Sequence, residues 1–483
     1  MVHLGPKPPQ HRKGTFTDVP QELLTELKNL EELLTITPET LIKITDHFIT
    51  ELDKGLSKKG GNIPMIPGWV LDFPTGKETG DYLAIDLGGT NLRVVLVKLG
   101  GNRDFDTTQS KFALPKHMRT ATSDELFDFI AECLKKFVDE EFPEGVSAPL
   151  PLGFTFSYPA SQNSINEGVL QRWTKGFDID GVEGKDVVPL LQASIEKVQV
   201  PIEVVALIND TTGTLVASMY TDSEAKMGLI FGTGCNGAYY DVVKDIPKLE
   251  GLIPDDIDPE SPMAINCEYG AFDNEHLVLP RTKYDIQIDK ESPRPGQQSF
   301  EKMISGYYLG EVLRLILLDL TLEKKLIFKN QDLSKLQTSF ILDTSFPAKI
   351  EEDPFENLSD VADLFQNQLG IQTTSAERKI IRVLAEKIGE RSSRLSICGI
   401  AAICKKRGYK SAHCAADGSV YNKYPGFKER AAQGLRDIFK WESKEDPIII
   451  VPAEDGSGAG AAIIAALTQK RLKEGKSVGI KKN

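Results

Sequence analysis

Leucines near the start of the chain recur at helical spacing, which predicts an amphipathic helix. They are Leu23, Leu24, Leu27, Leu30 and Leu34. Pro38, in the stretch TPET, is placed to begin a second helix, because proline is favoured in a first helical turn. We therefore predict two helices between Pro20 and Leu56. The Gly/Pro-rich run KKGGNIPMIPGW (58–69) then predicts a connector.

Two later stretches share a pattern of apolar strand, Gly-Thr turn and second apolar strand. They are LAIDLGGTNLRVVLVKL (83–99) and GLIFGTGCNGAYYDVV (228–243). Because each turn lies between runs rich in β-branched and aromatic residues, both stretches predict tight hairpins. The pattern also indicates a weak internal repeat, with one Gly-Thr turn in each half of the chain.

Further apolar runs predict strands, and amphipathic stretches between them predict helices. The predicted strands are 151–159, 202–209, 394–400 and 447–453, and the predicted helices include 123–139, 300–320 and 376–392. Strands that alternate with helices are typical of α/β lobes with parallel or mixed sheets. We therefore expect an α/β protein.

Composition and charge narrow the functional class. The chain has 483 residues, with 57 basic and 70 acidic residues and a net charge of −13, which disfavours nucleic acid and anionic membranes as partners. The six cysteines form no CxxC pair, and no apolar run is long enough to span a membrane, so we expect a cytoplasmic protein. Residues 1–20 predict a flexible polar arm, although Arg12 and Lys13 before Thr15 would also suit a basophilic kinase.

The first Gly-Thr turn has the residues that a phosphate site needs. Gly88 and Gly89 let backbone N–H groups approach a phosphate, and Thr90 adds a hydroxyl donor. Asp86 would direct a carboxylate to the same place, where a hydrated Mg²⁺ bridging phosphates could use it. A plain hairpin turn is the alternative, but the combination with Asn91 favours phosphate.

Three other glycine-rich segments have more than one interpretation. Residues 232–237 match GxGxxG, but a strand-like stretch follows, so we reject a dinucleotide site there. Residues 456–460 follow a strand and precede an Ala-rich helix, which fits either a nucleotide-binding turn or close helix packing. Residues 415–420 fit either an anion site at a helix start or an ordinary cap.

Asn209 and Asp210 follow a predicted buried strand, where a carboxylate can serve as a general base for a hydroxyl. An ordinary helix N-cap at Asp210 is the alternative. Other polar residues occupy similar strand ends and turns, and they are Ser157, Thr174, Lys175, Asn236, Glu268 and Glu301. If they converge, they would form the polar ring that a sugar with several hydroxyls requires.

Seven segments, in order, resemble the signature segments of the hexokinases, in particular those of fungal type. They are LAIDLGGTNLRV, LGFTFSYPA, LQRWTKGF, LINDTTGTL, IFGTGCNGAYY, INCEYGAFD and AADGSVYNKYPGF. The likeness runs from about residue 15 to residue 480, nearly the whole chain. It departs from the family pattern only in detail, with Cys235 in place of a usual Val and Ser392-Ser393 in place of an Ala pair.

The resemblance implies the two-lobed actin-like ATPase (ribonuclease H-like) fold, with mixed sheets flanked by helices and a cleft between the lobes. The implied parts are a flexible arm (1–20), an N-terminal helical segment packing on the large lobe (21–75), the small lobe (76–208), the large lobe (209–457) and a C-terminal helix returning to the small lobe (458–483).

The resemblance also implies transfer of the γ-phosphoryl group of ATP to the 6-hydroxyl of a hexose, with Mg²⁺. Asp210 resembles the catalytic base. The residues that resemble sugar ligands are Ser157, Thr174, Lys175, Asn209, Asp210, Asn236, Glu268 and Glu301. The residues that resemble nucleotide contacts are Asp86, Leu87, Gly88, Gly89, Thr90, Asn91, Thr233, Asp343, Thr344, Ser345, Gly418 and Ser419. Asp86 is expected to hold Mg²⁺ through water.

The expected partners are therefore hexose and ATP. A sugar sensor without turnover is the rival, and the presence of Asp210 and of both Gly turns favours the enzyme. A second, sugar-sensing role, a glucokinase-type hexose preference, and a monomeric or homodimeric state are all compatible with the sequence.

Overall fold

A computed structural model describes residues 16–58, 60–173, 177–443 and 445–481. Its helices are α1 (Gln21–Leu34), α2 (Pro38–Leu56), α3 (Ser123–Glu141), α4 (Val187–Lys197), α5 (Asp210–Thr221), α6 (Lys283–Glu291), α7 (Ser299–Ile304), α8 (Gly306–Leu318), α9 (Ser345–Glu352), α10 (Ser359–Leu369), α11 (Ser375–Arg407), α12 (Ser419–Lys423), α13 (Phe427–Phe439) and α14 (Ala461–Lys473). Within the described ranges, no helix is both long and apolar enough to cross a bilayer. Thr15 and most of the expected arm lie outside these ranges.

The strands are β1 (Ile66–Pro67), β2 (Thr79–Leu87), β3 (Asn91–Gly101), β4 (Asp104–Ala113), β5 (Leu150–Thr155), β6 (Ala160–Ser161), β7 (Val169–Leu170), β8 (Ile202–Ile208), β9 (Ala225–Phe231), β10 (Cys235–Val242), β11 (Pro262–Asn266), β12 (Ala412–Asp417) and β13 (Ile448–Pro452). They form two larger sheets and the short β6–β7 pair.

The two larger sheets repeat one topology. The first has the order β4-β3-β2-β5-β8, and the second has β11-β10-β9-β12-β13 with β1 added beside β11. In both sheets the first three strands are antiparallel neighbours and the last two run parallel to the third. The internal repeat and both predicted hairpins, β2–β3 and β9–β10, are therefore confirmed.

The first sheet is covered on both faces because its strands alternate. Leu83 and Ile85 point into a core shared with α3 and α4, whereas Tyr82 and Ala84 between them point into the larger core. Helix α14 covers this second face by packing on β2, β5 and β8. Helices α1 and α2 pack on α11 beside the second sheet.

The start of α2 was correctly located by its proline. Pro38 is its first residue, and the Thr37 hydroxyl accepts a hydrogen bond from the Thr40 N–H at 3.3 Å. The predicted helices 123–139 and 376–392 correspond to α3 and α11. The predicted helix 300–320 is interrupted at Ser305, which lies in extended backbone between α7 and α8.

The predicted strand over residues 394–400 is wrong. This stretch lies inside α11, which begins with a capping box at Thr374 and ends at Gly408, whose φ is +67°. Every residue from 391 to 404 is buried, since α11 is surrounded by other helices. A helix that is buried on all sides reads as a continuous apolar run, which periodicity cannot distinguish from a buried strand.

The glycines at 456–460 serve close packing. This segment forms a π-helical turn before α14 and crosses α5. A Cβ at Gly213 would lie 2.1 Å from the carbonyl oxygen of Gly456, and one at Gly460 would lie 2.1 Å from the carbonyl oxygen of Gly213. Because the two backbones touch, glycine is required on both sides. Of the two interpretations of this segment, the structure supports helix packing.

A buried ion pair fixes the centre of α11. The Arg391 guanidinium donates to both carboxylate oxygens of Asp285 at 2.8 Å, and both side chains are almost fully buried. Asp285 also accepts hydrogen bonds from the backbone N–H and the hydroxyl group of Thr282, and these bonds cap the start of α6. Burial would raise the pKa of Asp285, but the Arg391 charge together with the hydrogen bonds from Arg391 and Thr282 outweighs burial and holds that pKa below its usual range.

We expect Arg391→Met to lower the free energy of unfolding by about 3–5 kcal/mol, because it leaves the Asp285 carboxylate buried without its cation. The matched control is Arg436→Met. Arg436 makes a similar bidentate pair with Asp446 on the surface, with about half of its side chain exposed, so its loss should cost less than about 1 kcal/mol. Urea unfolding measures both, and equal costs would contradict the distinction.

Candidate active site

The parallel strands of both sheets end at the candidate site. In the first sheet, β5 is followed by Ser157 and β8 by Asn209 and Asp210. In the second sheet, β9 runs into the Gly232 turn and β12 into Gly418. The carboxyl ends of parallel strands are where α/β sheets bind ligands, because the connections there leave a crevice. The fold thus brings together residues that lie far apart in sequence.

Asp210 begins α5, and its neighbour Asn209 is the N-cap. The Thr211 N–H donates to the Asn209 side chain at 2.8 Å and to the Asp210 carboxylate at 2.7 Å. The N-cap of α5 is therefore Asn209, and the alternative interpretation of Asp210 as the N-cap is wrong. The Asp210 carboxylate is half-buried. Its negative charge helps to raise the Glu268 pKa, which indicates that the two carboxylates lie close together.

Two asparagines hold the carboxylate of Glu268. The side-chain amides of Asn236 and Asn266 both donate to one Glu268 oxygen, at 3.0 and 2.9 Å, and the Asn236 amide also donates to Oδ1 of Asn266 at 2.8 Å. The side-chain oxygen Oδ1 of Asn236 accepts a hydrogen bond from the backbone N–H of Glu268 at 2.9 Å. This arrangement fixes the amides and the carboxylate in one orientation before any ligand arrives.

Both glutamates of the site are electrostatically strained. Burial raises the pKa of Glu268, and the charges of Asp210 and Glu301 raise it further. Burial also raises the pKa of Glu301, which accepts the Cys235 N–H at 3.0 Å. Glu268 in addition has a φ of +55°, in the left-handed region that favours glycine. Such strain concentrates at functional sites.

A cavity of about 400 Å³ is lined from both sheets, with Asn209, Asn266 and Glu268 in its wall. Asp210, Asn236 and Glu301 are not among its lining residues, and Asn236 adjoins the wall through its hydrogen bond to Glu268. Phe156, Ser157 and Tyr158 come from the end of β5 and Asn209 from the end of β8, while Glu268 follows β11. The volume suits a small polar molecule such as a monosaccharide. Thr174 and Lys175, the other predicted sugar ligands, lie outside the described residues.

Several lining residues were not predicted as ligands from the sequence. They are Asn266, Gln298, Arg294, Gln171 and Arg172. Asn266 lies two residues before Glu268, and Gln298 has a φ of +57° directly before α7, the helix that carries Glu301. In both cases the signal available in the sequence was a polar residue within three positions of a predicted ligand.

The second Gly-Thr turn lies beside a cluster of close backbone contacts. The Gly306 N–H donates to the Gly232 carbonyl oxygen at 2.8 Å, and the Thr344 hydroxyl donates to the Gly306 carbonyl oxygen at 2.6 Å. Gly418 has a φ of +111°, and a Cβ there would lie 2.4 Å from the Phe231 carbonyl oxygen. The structure thus groups four of the predicted nucleotide contacts, Thr233, Thr344, Gly418 and Ser419. Thr233 and Ser419 are exposed there.

Asp343 and Ser345 flank Thr344 at the start of α9. The Asp343 carboxylate accepts the Ser345 N–H at 2.9 Å and its hydroxyl at 2.7 Å, so the loop is held in a turn. Asp343 is exposed and Ser345 is half-buried. Asp343 and Ser345 thus lie beside Thr344 in one turn.

The first Gly-Thr turn, on the other sheet, is open at its tip. The Gly88 N–H donates to the Asn91 carbonyl oxygen at 3.0 Å, and a Cβ at Gly89 would meet no atom within 4 Å. Thr90 and Asn91 are exposed and joined by a hydrogen bond of 2.9 Å. The Leu87 side chain is buried in the core, so only its backbone can reach a ligand.

The donor set at this turn suits a magnesium ion that a nucleotide carries. Among the described residues, no three His, Cys, Asp or Glu side chains are grouped to bind a metal. A Mg²⁺ ion bridging phosphates needs only one or two protein carboxylates and otherwise keeps water. Asp86 is half-buried at the end of β2, and its charge adds to the burial that raises the pKa of Tyr158, a residue of the cavity wall.

Comparison with known proteins identifies the family. Two family models, each described as Hexokinase, match residues 26–220 and 226–467. The chain is 84% identical over 475 residues to a hexokinase of Schwanniomyces occidentalis, covering 98% of this chain and 99% of the relative. It is 71% identical over 484 residues to hexokinase-2 of Saccharomyces cerevisiae, covering 99% of each.

Solved structures agree with the sequence relatives. A hexokinase from Schistosoma mansoni, described as complexed with glucose, superposes with a TM-score of 0.80 at 33% identity, covering 92% of this chain and 99% of that chain. Another solved hexokinase gives a TM-score of 0.81 at 30% identity, covering 93% and 100%. The predicted two-lobed fold with mixed sheets is thereby confirmed, and the chain belongs to the hexokinase family of sugar-phosphorylating enzymes.

Proposed function

We propose that this protein transfers the γ-phosphoryl group of ATP to the 6-hydroxyl of a hexose. The proposal rests above all on the turn from Gly232 to Asn236, which touches two groups of residues. Gly232 accepts a hydrogen bond from Gly306, beside the predicted nucleotide contacts. The Cys235 N–H donates to Glu301, and the Asn236 side chain donates to Glu268 in the cavity wall. A phosphate held on one side of this turn would therefore lie next to a sugar held on the other.

In this proposal a set of polar residues, some lining the cavity and some beside it, binds and orients the sugar; Thr174 and Lys175 enter the set from the sequence alone. The candidate ligands are Ser157, Thr174, Lys175, Asn209, Asp210, Asn236, Glu268 and Glu301. Glu268 and Glu301 accept hydrogen bonds from sugar hydroxyls, and the Asn236 amide is already oriented by its bond to Glu268. Preorganised groups lose little entropy on binding, so they favour one pose of the 6-hydroxyl.

Asp210 acts as the general base. It is the first residue of α5, just after a buried strand, and it lies near Glu268. Its carboxylate can therefore accept the proton of the attacking hydroxyl. Phosphoryl transfer needs positioning and charge neutralisation more than covalent help. The backbone N–H groups of the turns at 86–91, 232–234 and 418–419 would supply the positioning, and Mg²⁺, held through water by Asp86, would neutralise phosphate charge.

The substrates that we propose are glucose, with fructose and mannose also accepted, in the first step of glycolysis. The six cysteines are free and buried, which supports a reducing compartment such as the cytoplasm. A glucokinase-type preference and a second, sugar-sensing role are the alternatives that we retain, and a monomer or homodimer both fit the proposal.

Sugar-dependent release of ADP tests the function. We expect product with glucose, ATP and Mg²⁺ together, and no ADP release without sugar. Asp210→Asn should lower kcat by about 10²–10⁴ with glucose binding largely kept, because the amide cannot accept the proton. The matched control is Asp222→Asn at the other end of α5, where the aspartate pairs with His413, and we expect its kcat to change less than about twofold.

No ADP release with any common hexose would refute the function itself. An Asp210→Asn enzyme that retains a third of the wild-type kcat would leave the function standing. It would instead show that Asp210 is structural.

The raised pKa of Glu268 predicts a cost in stability. A carboxyl group whose pKa is raised in the folded state adds stability when protonated, and that stability is lost as the pH rises through the folded-state pKa. We therefore expect Glu268→Gln to increase the free energy of unfolding of the sugar-free protein at pH 7 by on the order of 1 kcal/mol. The gain should shrink as the pH is lowered toward 5, while the KM for glucose rises at neutral pH.

Urea unfolding at the two pH values, with Glu275→Gln as the control at an exposed glutamate, measures the effect. A variant that loses stability at pH 7 would contradict the assignment of strain to the carboxylate charge.

We further propose that the sugar closes the cleft. The cavity is lined from the small lobe, which we place at 76–208, and from the large lobe, 209–457, so one sugar contacts both only when they approach. Hinges would lie near 209–212 and 455–460, where the chain passes between the lobes. Closure also excludes water, the rival nucleophile.

Glucose without nucleotide should therefore decrease the radius of gyration in solution scattering, and xylose, which lacks the 6-hydroxyl, should stimulate slow ATP hydrolysis. Asp210→Asn should still become compact with glucose, which separates closure from chemistry. Sucrose at equal concentration is the solvent control. An unchanged radius at saturating glucose, together with no xylose effect, would indicate a rigid preformed pocket.

A further inference from the structure

Lys248 is a half-buried lysine whose ammonium group faces backbone carbonyls. It donates to the carbonyl oxygens of Gly55 and Pro64, both at 2.9 Å, and to that of Met65. An ammonium group has three N–H donors, so these three bonds use its full capacity. The lysine follows β10 in sequence, whereas its acceptors lie at the end of α2 and in the connector that follows.

Residues 63–68 are the part of the connector that Lys248 contacts, and they form part of the cavity wall. We call them the 63–68 connector. Pro64, Ile66 and Gly68 line the cavity. The Met65 N–H donates to the Cys267 carbonyl oxygen at 3.0 Å, and the Gly68 N–H to that of Ala264 at 2.7 Å. The connector is thus fixed on one side by β11, and Lys248 joins it to the end of α2.

The same connector supports the polar network around Glu268. Ile66 pairs with Asn266 across the β1–β11 ladder, and Asn266 donates to the Glu268 carboxylate at 2.9 Å. The fit against α2 leaves little slack, since a Cβ at Gly55 would lie 2.3 Å from the Ile63 carbonyl oxygen. A shift of the connector would therefore move both the wall and the Asn266 amide.

We propose that Lys248 is a positioning residue for the sugar, and that its ammonium group keeps the 63–68 connector in place as a wall of the cavity. This inference rests on the proposed function, since it concerns the same sugar site. Lys248 does not touch the sugar but acts through backbone that does. Its loss should therefore weaken substrate and transition state alike, which raises KM and leaves kcat nearly unchanged.

The charge of Lys248 gives the effect a pH dependence. Burial lowers the pKa of this lysine to about 8, and the nearby Cys267 thiol acts in the opposite direction. Charged groups on the adjoining elements include the ion pairs of Lys54 with Glu51 on α2 and of Lys58 with Glu250. Asp53 of α2 pairs instead with Lys406 of α11. A neutral amine has only two N–H donors, so one carbonyl loses its partner when Lys248 is deprotonated.

The test compares Lys248→Met with Lys244→Met. Methionine keeps most of the apolar stem without any donor, and Lys244 is an exposed lysine four residues earlier that pairs with Glu260 on the surface. For Lys248→Met we expect the glucose KM and the glucose Kd, read by tryptophan fluorescence, to rise about tenfold with kcat within about twofold. Lys244→Met should leave all three within about twofold.

Two readouts separate positioning from a general loss of structure. Hydrogen exchange should speed up at the amides of Met65 and Gly68 in Lys248→Met while the β2–β3 ladder stays protected. In the wild type the glucose KM should rise between pH 7 and pH 9, and in Lys248→Met it should be flat over that range. Lys248→Gln, which restores two donors, should recover part of the affinity, and it replaces Lys248→Met if that variant does not fold.

A glucose KM and connector exchange that match the wild type in Lys248→Met or Lys248→Gln would overturn the inference, as would a wild-type KM that is flat from pH 7 to pH 9. These outcomes are distinct from failure of the proposed function. If the wild type binds glucose in a Lys248-dependent manner but releases no ADP, the function fails and the positioning role stands.

Discussion

The contact between the backbones of α5 and residues 456–460 is the constraint on which the site depends. Helix α5 begins with Asp210, directly after the last strand of the first sheet, and it packs on β9 of the second sheet. Residues 456–460 lead from the last strand of the second sheet into α14, which covers the first. Gly213 and Gly460 allow the backbones of α5 and of residues 456–460 to touch. Because of this contact, the carboxyl ends of the strands in the two sheets face one another. A side chain at either position would separate Asp210, the proposed base, from the turns that are proposed to hold phosphate.

Local signals predicted much of the fold. The two hairpins, the Gly turns and the start of α2 follow from residues adjacent in sequence, and all are confirmed. The strand predicted at 394–400 was wrong because burial on all sides of α11 removes the periodicity that marks a helix. That burial arises from α2, α9 and α13, which come from distant parts of the chain. No local window contains this information.

The site shows the same division between local and long-range information. Asn236, Glu268 and Glu301 were proposed as ligands from motifs, and they do converge on one cavity or its edge. Asn266 and Gln298 were missed because their positions depend on the β10–β11 pairing and on a left-handed residue before α7. Lys248 was missed for a stronger reason: its partners are carbonyl groups, which every residue has and no motif records.

The position of α14 has a consequence for how the chain acquires its structure during synthesis. This helix is synthesised after every strand of both sheets, yet it covers one face of the first sheet. Until it is made, the face of β2 that carries Tyr82 and Ala84 lacks the helix that packs on it in the complete structure. A nascent chain in this state exposes apolar surface of the kind that chaperones recognise. The first sheet to be translated is thus covered only after the second sheet has been made, so the synthesis of α14, rather than that of either sheet, completes the core of the first lobe.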